Sequence, residues 1–72
     1  MDILEIEKKE TMRREEVAAR LRVLADMLSR DNEIEFERDG IRFTVHVAYE
    51  VDVKVELEVE SDERELEIEL KW

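Results

Sequence analysis

From Ile41 to Val59 every odd-numbered residue is apolar: Ile41, Phe43, Val45, Val47, Tyr49, Val51, Val53, Val55, Leu57 and Val59. Successive side chains on a strand point to opposite faces, so the run specifies β-structure with one apolar side. Laid out as a single strand it would reach roughly 60 Å at about 3.3 Å per residue, too long for a small domain. The ribbon must turn. Gly40 is the only glycine and there is no proline, so neither marks the place. A three-residue turn at Ala48-Tyr49-Glu50 keeps odd positions opposite odd positions and is expected there.

The flanking stretches continue the alternation. In "IEFERDGIRFTV" the Asp39-Gly40 pair is the signature of a two-residue type I′ hairpin, whose central residues both need positive φ. That turn pairs Arg38 with Ile41, Phe36 with Phe43 and Ile34 with Val45. The apolar residues then share one face, and Glu35, Glu37, Arg42 and Thr44 the other. The closing "VELEVESDERELEIELKW" reads as a last hairpin turning through Ser61–Arg64. Its expected pairs are Val59 with Leu66, Leu57 with Ile68, Val55 with Leu70 and Val53 with Trp72. On the polar face this register sets Glu58 against Glu67, Glu56 against Glu69 and Lys54 against Lys71. Like charges directly opposite one another are destabilising, so something must offset them.

Before residue 33 the period changes. Leu4 and Ile6 alternate with Glu5 and Glu7, a brief first strand. Val17, Leu21, Leu24 and Leu28 then follow at steps of four, three and four, with Ala18 and Ala25 in the same stripe. This is one face of an amphipathic helix. Thr11 is the expected cap, Glu15 and Glu16 suit the positive end of the helix dipole, and Arg30 suits the other end. Asn32 tolerates the left-handed conformation that stops a helix.

A helix of about 19 residues spans roughly 28 Å, and a strand of nine or ten residues about 30 Å. The matched lengths predict an α+β domain over residues 1–72. One amphipathic helix covers one face of a mainly antiparallel sheet of about five strands, in chain order β-α-β-β-β-β, with the first strand beside the last or beside the strand after the helix, the former preferred. Trp72, in phase with Leu66, Ile68 and Leu70, is expected to point inward and plug the end of the core.

Charged residues make up 47% of the chain and the net charge is −10. That balance opposes binding to nucleic-acid phosphates or anionic lipid, which both need lysine and arginine. Without cysteine there is neither a disulfide nor a thiolate metal site. No stretch approaches the roughly 20 apolar residues of a membrane span, and the N-terminus lacks a signal peptide's apolar run, so a cytoplasmic protein is expected. The charge is also segregated. Residues 8–30 carry seven basic and four acidic side chains, and residues 33–72 five basic and fourteen acidic.

"REEVAARLRVLAD" at residues 14–26 and "ELEIELKW" at residues 65–72, with the acid-rich strands around Asp39-Gly40 between them, resemble the amphi-Trp domain family. The family takes its name from an amphipathic terminal strand that ends in tryptophan. The resemblance implies a small prokaryotic domain with no established activity, and so offers no catalytic positions to carry over. Where the family usually has a helix-capping serine this chain has Arg13, and where proline is common it has Ala48.

Few residues suggest chemistry. His46 alternates away from Val45 and Val47 onto the polar face, with no neighbouring nucleophile or orienting partner in sequence. Ser29 and Ser61 fall in expected loops. No catalytic residue, cofactor or metal site is therefore assigned. The expected interaction surface is the acidic sheet face, Glu56, Glu58, Glu67 and Glu69, together with the helix arginines Arg13, Arg20 and Arg30. The function expected is a non-enzymatic interaction or scaffold module, self-associating into a homo-oligomer. The alternative is an acidic-face binder of divalent cations or of a basic protein partner.

Overall fold

The structure is a computed structural model and describes residues 4–72. A helix, α1 (Arg14–Asp26), runs on into a single wide π turn, Met27–Asp31. Two antiparallel hairpins follow: β1 (Glu33–Arg38) with β2 (Ile41–His46), and β3 (Asp52–Val59) with β4 (Arg64–Lys71). The fold is α+β, but the strands number four and form two separate two-stranded sheets. The expected single sheet of about five strands is thereby corrected.

The helix begins directly after Arg13, which stands in an extended conformation and offers no capping side chain. Thr11 is not the cap. The carbonyl of Arg13 accepts from the amides of Glu16 and Val17 at 3.0 and 3.1 Å, and Glu15 and Glu16 lie in the first turn. At the far end Arg30 occupies the last turn, and Asn32, at φ 55° and ψ 28°, takes the left-handed conformation that ends it. The expected first strand does not form: residues 4–10 carry no regular structure. Two alternating pairs are too few to compete for a sheet edge. The segment instead ties to the helix through an ion pair between Glu10 and Arg20 at 3.1 Å.

The first hairpin matches its expected register residue for residue, with Ile34 opposite Val45, Phe36 opposite Phe43 and Arg38 opposite Ile41. Asp39 and Gly40 sit at φ 53° and 79°, the two positive angles that a type I′ turn requires. Past the end of the ladder the Val47 amide donates to the Asn32 carbonyl at 2.8 Å, tying the exit of β2 to the end of the helix.

The second hairpin departs from expectation by two residues. Val53 faces Leu70, Val55 faces Ile68, Leu57 faces Leu66, and Val59 faces Arg64 rather than Leu66. A shift of two preserves the face of every side chain, so the apolar pattern alone does not resist it. The charges do. Lys54 now faces Glu69 and Asp52 faces Lys71, replacing the lysine pair by two opposite-charge pairs. The Glu60 amide closes the turn on the Glu63 carbonyl at 2.8 Å, leaving Ser61 and Asp62 as the loop.

The chain does bend at Tyr49 and Glu50, but β2 and β3 do not pair across the bend. Alternation decides which side of a strand is apolar; it does not decide which edges join. The second hairpin therefore leaves as an arm of its own. Val47 at the junction is the one buried apolar residue among those described, at 6% exposure, with Leu28, Val51 and Leu70 half-buried.

Packing is correspondingly open. The Cα radius of gyration is 14.2 Å, against about 11 Å for a compact domain of this length. The expected helix layer over all the strands is absent: the helical segment meets the strands chiefly through its π turn, against β1. The apolar face of β3–β4 is uncovered beyond Leu70, and Leu57 at its middle is 71% exposed.

Candidate functional site

The second hairpin holds both surfaces of functional interest, back to back. On its polar side the alternation gathers Asp52, Lys54, Glu56, Glu58, Glu65, Glu67, Glu69 and Lys71. All four glutamates predicted as an interaction surface lie here. Glu69 sits opposite Lys54, while Glu56 faces Glu67 and Glu58 faces Glu65 with no cation between them. Two ion pairs run along the strands, Lys54 to Glu56 at 3.2 Å and Lys71 to Glu69 at 3.1 Å. Charge on this face is thus partly neutralised near the hairpin's base and uncompensated toward its tip, where Glu58, Glu60, Glu63 and Glu65 line a shallow depression. Among the described residues no three metal-ligating side chains come close enough to hold an ion.

The arginines do not converge in the same way. Arg13 precedes α1, Arg20 lies in its middle bound to Glu10, and Arg30 closes the π turn. They are spread from the start of α1 to the π turn, and no ion pair joins them to the four glutamates among the described residues. His46 is exposed at the end of β2, opposite Glu33. Ser29 reaches only the Asp26 carbonyl, at 3.4 Å.

Trp72 has a different role from the expected core plug. It is 50% exposed, and its indole Nε1–H donates to the His46 carbonyl at 2.8 Å. The bond fastens the end of the second hairpin to the end of the first. Among the described residues it is the one side-chain hydrogen bond that joins the two hairpins. Its phase in the sequence could not reveal a backbone acceptor 26 residues away.

The other side of the same hairpin carries Val53, Val55, Leu57, Val59, Leu66, Ile68 and Leu70. Paired residues share a face, so these form one continuous apolar surface. All but Leu70 are exposed. The pattern identified these residues but predicted them covered. On α1, Val17 and Leu21 of the apolar stripe are likewise uncovered. Contiguous apolar surface of this extent is unusual on a free soluble monomer and marks a place where something else packs.

No helix of the described residues is long and apolar enough to cross a membrane. A family model, the Amphi-Trp domain, matches residues 2–72. No curated protein and no solved structure matches the chain. The chain belongs to the Amphi-Trp domain family.

Proposed function

We propose that this member of the Amphi-Trp domain family is a non-enzymatic interaction module that works by self-association. The observation that carries this reading is the bare apolar face of β3–β4, a strand pair whose every second residue is aliphatic and whose cover is missing. A chain of 72 residues without disulfides has little core to spend in isolation. Small domains of this kind reach useful stability by joining their apolar surfaces to a partner's. Covering one Leu or Ile side chain contributes about 1.5–3 kcal/mol, so association and folding would support one another.

Light scattering over a range of protein and salt concentrations tests the proposal. A mass of two or more chains at micromolar concentration is expected; a single-chain mass at every concentration would dispose of it.

A second reading, an acidic-face binder of a basic protein or of divalent cations, draws on the facing pairs Glu56–Glu67 and Glu58–Glu65. Calorimetric titration with Ca²⁺, Mg²⁺ and a basic protein tests it. Heat of binding accompanied by a raised Tm is the expected signature, and titrations without heat remove this reading.

A further inference from the structure

Resting on the self-association proposed above, we infer that two copies complete each other's layers. The apolar stripe of α1 in one copy lies across the open β3–β4 face of the other, and the second helix and hairpin repeat the contact about a two-fold axis. The occupant of the bare face is therefore a helix of a second copy of this chain.

Four observations lead there. The dimensions agree: α1 and the π turn run from Arg14 to Asp31, roughly 27 Å at 1.5 Å per residue, and β3 and β4 have eight residues each, roughly 26 Å. The surfaces agree as well. Leu21 is 49% exposed and Ile68 is 54% exposed, aliphatic on both sides, so each lacks what the other would supply.

The charges are complementary. Residues 8–30 carry seven basic and four acidic side chains, whereas residues 52–71 carry nine acidic and three basic. Crossing helix with hairpin brings a mildly cationic segment, rather than a second anionic one, to each hairpin. Packing two hairpins face to face would instead bring the two most acidic segments together and leave both helices bare.

The area is sufficient. The chain exposes 7124 Å², whereas a compact monomer of 8.7 kDa exposes about 4,700 Å² by the usual scaling. Hiding only half of the excess from each copy buries about 2,400 Å² in the pair, within the range of obligate homodimers. A helix-to-hairpin contact made twice is self-complementary and closed, so it ends at two copies and does not propagate into a fibre.

Closure within one chain is disfavoured by the Trp72 bond to the His46 carbonyl, which holds the base of the second hairpin in its present direction. Swinging the arm back over its own helix would break that bond.

The absence of cysteine makes the contact directly addressable. Single variants Val17→Cys and Leu21→Cys on the helix are mixed pairwise with Val55→Cys, Leu57→Cys and Ile68→Cys on the hairpin, then oxidised with diamide. At least one helix–hairpin mixture is expected to give a disulfide-linked pair of about 17 kDa, twice the single-chain mass, in tenfold excess over either self-linked product. Double variants combining one position of each set are run in parallel. Preferential self-linking of the hairpin variants, or linkage confined within the double variants at single-chain mass, overturns the inference. Linkage between copies by the wrong pairs leaves self-association standing and removes only the exchange of helices. A single-chain mass by light scattering removes both.

Discussion

The two hairpins are built on one rule and end in different circumstances. In each, aliphatic or aromatic residues face one another across the ladder, up to one arginine beside the turn, and polar, mostly charged residues occupy the reverse side. The first hairpin is short, turns on Asp39-Gly40 and lies against the end of the helix. The second is longer, turns on Ser61-Asp62 without a positive φ, and is bare on its apolar side beyond the half-buried Leu70 at its base. The contrast teaches that alternation states the need for a cover but not its source. Where the chain has a helix end within reach, the need is met in part, with Ile34 and Phe43 half-buried; where it does not, the surface remains available to another molecule.

The sharpest way to break the contrast is a charge on each apolar face. Leu57→Asp is expected to weaken self-association at least 100-fold, about 3 kcal/mol, and to make Tm independent of protein concentration. Phe43→Asp strikes the half-buried face of the first hairpin, opposite Phe36. It is expected to lower stability by about 2–3 kcal/mol, seen as a fall in Tm at every concentration. Equal behaviour of the two variants in sedimentation and thermal melts would erase the distinction.

The turns differ by a smaller margin. Nothing lies within 4 Å of a Cβ added at Gly40, so Gly40→Ala costs only the backbone strain of φ +79°, about 1–2 kcal/mol, read as a drop in Tm. Ser61→Ala, where no positive φ is needed, is expected to stay within about 0.5 kcal/mol of the parent. Next comes the link between the hairpins. Trp72→Phe keeps an aromatic ring but loses the donor to His46, for about 1 kcal/mol, and hydrogen exchange is expected to quicken at the base of β4.

The least effect belongs to the polar face. Lys54→Glu sets a carboxylate opposite Glu69 and beside Glu56, and is expected to cost about 0.5 kcal/mol in a denaturant melt. Glu67→Lys, which neutralises the Glu56 pair, is expected to recover a similar amount.

How far this arrangement is legible in the sequence depends on how local the determining chemistry is. Asp39-Gly40 and Asn32 are readable because a positive φ selects residue types at single positions, and the angles observed, 53°, 79° and 55°, are the ones required. The register of the second hairpin is less so, since moving it by two leaves every aliphatic residue on its face. Only the lysines carried the missing information, through the pairs Lys54–Glu69 and Asp52–Lys71. The strand expected at Leu4 and Ile6 failed for want of length, and the joining of β2 to β3 failed because an unbroken period says nothing about edges.

The candidate surface divides along the same line. Glu56, Glu58, Glu67 and Glu69 share a face because strand geometry alone puts them there. Arg13, Arg20 and Arg30 were assigned by segment charge, which gives a region and not a position. Arg20 accordingly meets Glu10, a partner in an irregular stretch that no periodicity announces.

The most direct test is an NMR sample prepared from equal parts of isotope-labelled and unlabelled chains, filtered for contacts between the two. Intermolecular NOEs joining the methyl groups of Leu57 and Ile68 to those of Val17 and Leu21 are the predicted result. If the same methyl groups give contacts only within a chain, or only from hairpin to hairpin, a second copy's helix is not what covers β3–β4.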